Sequence, residues 1–172
     1  MFINDGKTYI VTDVETNGKK LPDGRIIEIA LVKIQNGKPI DFYHNLVNPK
    51  EKIPWFISNL TGIKNSMVRN APTFKEIAEE IAEFIRKGVI VAHNAPFDYA
   101  YLKFELERSL IGFNFENEKI CTVSLTRKKY PHLGKYNLDF LSDFFNIKNP
   151  DRHRAYGDAM ATTELFLKYL LV

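Results

Sequence analysis

Asp13 and Glu15 stand two residues apart at the end of the apolar run Tyr9-Ile10-Val11-Thr12. In a strand, period two puts both carboxylates on one face, about 6–7 Å apart along the chain. Carboxylates are rarely buried without partners, so the plain alternative is a strand fraying into a polar loop with both acids in water. A third acid, Asp98, follows the apolar segment Val89-Ile90-Val91-Ala92 within His93-Asn94-Ala95-Pro96-Phe97-Asp98. Pro96 suits a first helical turn, and the helix dipole alone would favour an acid there. Asp158 lies near the start of the last helical segment, with His153 five residues earlier. Five residues along a helix separate side chains by about 140°, so His153 can meet Asp158 only from a loop before the helix. The segment Asn149-Pro150-Asp151-Arg152-His153-Arg154 has that loop composition. Taken singly, His153 reads as a solvated loop histidine and Asp158 as a helix cap.

Taken together, these residues suggest one chemistry. Four carboxylates in one pocket repel unless protonated or neutralised. An all-oxygen ligand set suits two Mg²⁺ or Mn²⁺ ions rather than zinc. Such a pair, about 3.5–4 Å apart in two-metal enzymes, clamps the attacking and leaving oxygens of a phosphodiester. A histidine beside it can take the proton from the attacking water. The rate would then fall on acidification.

The elements that must position these groups follow from pattern. Thr8 to Val14, Ile26 to Ile34 and Ile40 to Val47 read as an antiparallel meander, with Asn36-Gly37 as a hairpin turn. A helix is predicted from Phe74 to Lys87, with Thr73 and Glu76 at capping-box spacing. Val89 to Ala92 reads as a buried central strand. Further segments are a helix from Pro96 or Phe97 to Leu110, a strand from Lys119 to Val123, a helix capped by Asn137 through Phe145, and a last helix from Ala155 to Leu171. The order β-β-β-α-β-α-β-α-α predicts an α/β fold, a five-stranded mixed sheet with helices on both faces. Sites in such folds lie at the carboxyl ends of the strands.

Composition sets bounds. The chain has 172 residues, enough for one domain with a sizeable core. Net charge is +3, which permits a polyanionic partner without requiring one. The one cysteine, Cys121, allows no intramolecular disulfide and favours a reducing compartment. Met1 to Lys7 lacks the basic and apolar regions of a leader, and no apolar run reaches the roughly 20 residues that span a bilayer. A cytoplasmic protein without membrane contact is expected.

Three motifs resemble a known family. Asp13-Val14-Glu15-Thr16-Asn17-Gly18 resembles its first motif, Asp-x-Glu-Thr-x-Gly. Val91 through Asp98 resembles the second, and His153-Arg154-Ala155-Tyr156-Gly157-Asp158 the third, His-x-Ala-x-x-Asp. Ile53-Pro54 through Asn59-Leu60-Thr61-Gly62-Ile63 and Asn137 through Leu141 are similar to further stretches of it. The family is the DEDDh (DnaQ-like) 3′–5′ exonucleases, and the likeness is greatest to proofreading subunits or domains of bacterial replicative DNA polymerases. The resemblance covers nearly the whole chain, residues 1–172 as one exonuclease domain. It implies an RNase H-like fold and hydrolytic release of 5′-mononucleotides from DNA 3′ ends, in proofreading or repair. It also implies that Asp13 bridges both metals, Glu15 and Asp158 complete one site, Asp98 holds the other, and His153 is the general base. Thr16, Asn17, Leu60, Thr61, His93 and Phe97 match positions that line the terminal nucleotides in relatives, although Leu60 and Phe97 suit core packing as well. Val172 directly follows the last helical segment, with no docking tail for a separate polymerase. Polymerase partnership stays open on this reading, and a free-standing exonuclease is compatible with it.

Arg127, Lys128, Lys129, Lys135, Arg152 and Arg154 are candidate phosphate contacts. Tyr130, Tyr136 and Tyr156 are candidate stacking rings. Solvation and packing are the cheaper accounts of each. Two other functions stay open: a 3′–5′ exoribonuclease acting on RNA or short oligoribonucleotides, since the same residues serve both, and a non-catalytic nucleic-acid-binding module.

Overall fold

The computed structural model describes residues 6–171, so the reading of Met1 to Asp5 as lacking a leader lies outside the described residues. A five-stranded sheet forms the centre, in the order β3-β2-β1-β4-β5. Strands β1 (Thr8–Thr16), β2 (Ile26–Gln35) and β3 (Lys38–Leu46) make the antiparallel meander. Gln35 pairs with Lys38, leaving a two-residue turn. Asn36 and Gly37 both take positive φ there, the backbone that a type I′ hairpin needs. Strand β4 (Val89–Ala92) is buried throughout and lies parallel to β1 and to β5 (Lys119–Cys121). The predicted mixed sheet is present.

Three short helices escaped the sequence reading. Helices α1 (Trp55–Thr61) and α2 (Asn65–Val68) come between β3 and α3 (Phe74–Phe84). They are held by a small cluster of Ile53, Ile57, Ile63 and Val68 against Ile27. Helix α4 (Ala95–Ser109) follows β4, and α5 (Thr122–Lys129) starts where β5 ends, so Thr122 and Val123 are helical and not strand. Helices α6 (Leu138–Phe144) and α7 (Ala155–Leu165) complete the chain, and a π turn over Phe166–Leu170 replaces the predicted end of the last helix.

The caps read from sequence are in place. Glu76 accepts from the Thr73 amide at 2.7 Å, and Asn137 accepts from the Phe140 amide at 2.8 Å. Helices α3 and α4 cover one sheet face through Ile10, Val14, Ile29, Leu31 and Ile90. Helix α7 covers the other through Tyr9, Val11, Ala30, Val32 and Val91, and α6 packs on α7. Among the described residues, no helix is long and apolar enough to cross a membrane.

Candidate active site

The site assembles where β1 outruns its neighbour. On β2, Ala30 stands opposite Asp13 and Glu28 opposite Glu15. Ala30 belongs to the face that α7 covers, so both acids point toward α7. Asp158 lies in the first turn of α7. One carboxylate oxygen each from Asp13, Glu15 and Asp158 lie within 4.8 Å of one another. Asp98 arrives from the other side of β1. Strand β4 pairs with β1 only as far as Val11, and the free edge beyond is met by the start of α4. There the Val14 amide donates to Asp98 Oδ1 at 3.0 Å. Asp98 is thus fixed to the backbone between Asp13 and Glu15.

The electrostatics leave this cluster short of positive charge. Burial, then Asp98, Glu15 and Asp158, push the Asp13 carboxyl well above the usual range. Burial, then Asp158 and Glu28, raise Glu15 to about 8. Burial raises Asp98 to about 7, although the Val14 amide and its own amide pull the other way. Burial also raises Asp158, against hydrogen bonds from Asn149 and the His153 amide. Oxygen donors with too little compensating charge fit hard divalent cations.

His153 lies in the turn before α7 on left-handed backbone, φ 60°, with its side chain exposed. Its amide donates to Asp158 Oδ2 at 3.1 Å, and Asn149 Nδ2 donates to Oδ1 at 2.6 Å. This is the loop placement that the five-residue spacing demanded.

Glu28 escaped the sequence reading. It is fully buried, opposite Glu15, and would add a repelling charge if left alone. Three partners hold it. Arg154 reaches both of its oxygens, at 2.6 Å from Nη2 and 3.0 Å from Nε, and His44 Nε2 lies at 2.8 Å. The Ala155 amide donates at 2.9 Å. Burial alone would raise Glu28, but the bonds from His44, Arg154 and Ala155 bring it down to about 2. Glu28 therefore ties the start of α7 to the sheet. A signal existed: one acid inside the apolar run Ile26-Ile27-Glu28-Ile29-Ala30-Leu31.

A cleft of about 300 Å³ opens beside Glu15, lined by Thr16, Gly18, Lys19, Lys20, Ile57, Leu60, Thr61, Phe97 and Tyr101. Four of the six residues expected at the nucleotide therefore share one cleft. The other two do not face it. Asn17 is fully buried and accepts from the Lys19 and Arg25 amides at 3.2 and 2.9 Å, which closes the loop after β1. His93 spends both ring nitrogens inside the protein, on Thr122 Oγ1 and the Tyr136 carbonyl, each at 2.9 Å. The carbonyl can only accept, so Nε2 carries the proton in this network. Burial lowers the His93 pKa.

Tyr101 is an addition that the sequence reading did not make. It meets Phe97 with ring centroids 4.8 Å apart, one helical turn along α4. Gly18 is required here: at φ 78° a Cβ would sit 2.6 Å from Ile57 Cδ1. Arg154 and Arg152, candidate phosphate contacts, both have acidic partners within the chain. Arg154 is committed to Glu28, and Arg152 pairs with Asp143 and, at 3.6 Å, Asp139. Tyr130 and Tyr136 pack: the Tyr130 ring lies 5.2 Å from Phe145, and the Tyr136 hydroxyl donates to the Tyr130 carbonyl at 3.0 Å.

The family model described as Exonuclease matches residues 10–166. A DNA polymerase III of the PolC type from Caldanaerobacter subterraneus is 42% identical over 162 residues, 94% of this chain and 11% of that one. The 3′-5′ exonuclease DinG of Bacillus subtilis is 38% identical over 164 residues, 94% of this chain and 17% of that one. The chain thus spans less than a fifth of these relatives' length. Among solved structures, Exonuclease X in complex with 5′ overhanging duplex DNA gives a TM-score of 0.74 at 28% identity, covering 92% of this chain and 89% of that one. The nuclease domain of 3′hExo, a DEDDh family member bound to rAMP, has the same fold, with a TM-score of 0.80 at 17% identity and coverage of 96% and 92%. The chain belongs to the exonuclease family.

Proposed function

We propose that the chain hydrolyses the last phosphodiester at DNA 3′ ends and releases 5′-mononucleotides, as a proofreading or repair activity. The observation that carries this reading is the trio Asp13, Glu15 and Asp158, whose oxygens lie within 4.8 Å of one another. Mg²⁺ or Mn²⁺ ions, two in this reading, would be held by Asp13, Glu15, Asp98 and Asp158. When bound, they would neutralise the acids and stabilise charge on the scissile phosphate. The cleft lined by Leu60 and Phe97 seats the terminal nucleotide, and Lys20 supplies positive charge at its rim, while Lys19 is paired with Glu51. His153, exposed in the turn before α7, takes the proton from the attacking water. The Glu28–Arg154 pair keeps the His153 turn in register with β1.

DNA is favoured over RNA because the similar polymerases and Exonuclease X are named for DNA. In the polymerase and DinG relatives the matching region is a small part of a long chain, so polymerase partnership stays open. The test is product analysis on 3′-labelled single-stranded DNA, mispaired duplex and matched RNA, with and without Mg²⁺ or Mn²⁺. Metal-dependent release of mononucleotides from DNA is expected, and abolished by Asp13→Ala with the fold intact. Full activity in that variant rejects the site, a strong RNA preference replaces the substrate, and tight DNA binding without hydrolysis in either metal makes the chain a binding module.

A further inference from the structure

Helix α1 presents more apolar surface to water than its packing explains. Trp55 is 75% exposed, the most exposed aromatic side chain among the described residues, and Phe56 is 52% exposed. Their rings meet edge to face, with centroids 6.3 Å apart. The buried residues of the helix, Ile57 and Thr61, need neither ring. The position of the pair is informative. Phe56 and Leu60 are four residues apart and so share one helix face. Leu60, 56% exposed, faces Phe97, 41% exposed, across the cleft beside Glu15. A Cβ on Gly18 would lie 3.4 Å from Phe56 Cε2, which places Phe56 at the cleft rim. Leu60, Phe56 and Trp55 thus form a continuous apolar path from the cleft outward. Lys20 lines the cleft, and Lys52, three residues before Trp55 in sequence, is exposed.

We propose that Trp55 and Phe56 form a stacking platform for unpaired bases upstream of the terminal nucleotide. The inference rests on the exonuclease reading of the cleft and extends it to the substrate class: a 3′ end with several unpaired nucleotides. Exposed rings interleaved with lysines suit single strands, because every base has a face to stack and every link a phosphate. The platform is also selective. A paired duplex hides its base faces, so a fully paired end must fray before it gains this contact.

Trp55 is the single tryptophan of the chain, so its emission reports the platform directly. The experiment uses the full chain carrying Asp13→Ala, titrated with dTMP and with 5′-labelled single-stranded DNA of two to eight nucleotides. Emission should hold steady with dTMP and fall as the oligonucleotide lengthens. Adding Trp55→Ala should weaken oligonucleotide binding by about 5- to 100-fold, as lost base stacking does, and Trp55→Phe should restore much of it. The position is exposed, so both variants should fold. Oligonucleotide binding by anisotropy with unmoved emission, or equal affinity in Trp55→Ala, overturns the platform. Wild-type cleavage of the same DNA would then keep the exonuclease reading standing. Neither binding nor cleavage overturns both.

Discussion

His153 and Glu28 divide the work around the third motif. His153 is exposed and positioned by its backbone, through the amide that donates to Asp158. Its side chain is therefore free to act on a water. His153→Ala should lower kcat by about 10²- to 10⁴-fold, the usual worth of a general base, and leave oligonucleotide affinity within about twofold. An undiminished rate at neutral pH would assign the proton to another group. Glu28 does the opposite kind of work, buried and fully partnered by Arg154, His44 and the Ala155 amide. Glu28→Gln leaves Arg154 without its counter-charge. Breaking a buried pair costs about 3–5 kcal/mol, and the lower end fits because Arg154 is partly exposed. The sign with pH is fixed by the lowered pKa, about 2 in the fold. The unfolded carboxyl binds protons first, so this stability is full above about pH 4.5 and lost toward pH 2. Urea unfolding at pH 7 and pH 3 should show the variant's deficit shrinking with acid. A deficit that is constant with pH would remove the charge argument.

The turn and start of α7 form one device at the scale of elements. Gly157 is buried, and a Cβ there would meet the Asp151 carbonyl oxygen at 2.4 Å and Asn149 Oδ1 at 2.8 Å. The loop therefore passes directly over the first turn of α7, which lets Asn149 and the His153 amide reach Asp158. Gly157→Ala must push this loop away. Overpacking of this kind costs about 1–3 kcal/mol, and activity should fall further, because Asp158 loses two donors. Calorimetry paired with kcat on single-stranded DNA checks it; unchanged kcat would show that the loop is not coupled to the chemistry. How much could be read from sequence follows from element length. Long apolar strands and α3 carry their period in many residues, and the Asn36-Gly37 turn carries its own geometry. Helices α1, α2 and α5 have 7, 4 and 8 residues. Eight residues or fewer hold too few apolar positions to show a 3.6 period. In α5 the β-branched Thr122 and Val123 extended the apparent strand, while the stop signal, the basic last turn Arg127-Lys128-Lys129, suits a helix C-terminus. The motif acids were legible because their types and spacing carry the chemistry. For Asn17 and His93, a motif position does not say which way a side chain turns, and both are engaged inside the protein.

For the whole molecule, the acids at the sheet's centre set a conflict between folding and function. A chain free of divalent ions must hold the half-buried Asp13, Glu15 and Asp158 and the buried Asp98 near one another. Each has a raised pKa, to about 8 for Glu15 and about 7 for Asp98. The unfolded chain releases these protons near pH 4, and the folded chain holds them longer. Between about pH 4 and pH 8 the native state binds more protons, so metal-free stability must fall as pH rises through that window. Glu28 has the contrary sign, but its window closes below about pH 4.5. In EDTA, Tm should therefore drop from pH 5.5 to pH 8. Magnesium binds the ionised form, so its stabilising effect should be small at pH 5.5 and grow toward pH 8. At one hundred times Kd it contributes about 2.7 kcal/mol, or a rise of very roughly 5–10 °C for a domain of this size. Glu15→Gln should raise the EDTA Tm at pH 8 and blunt the magnesium response, since it removes both the repulsion and a ligand. A Tm in EDTA that is flat or rising over this range would mean that the acids are relieved by something other than protons or cations. The same cation would then be idle in folding, and the link between the clustered charge of this sheet and the proposed metal site would be broken.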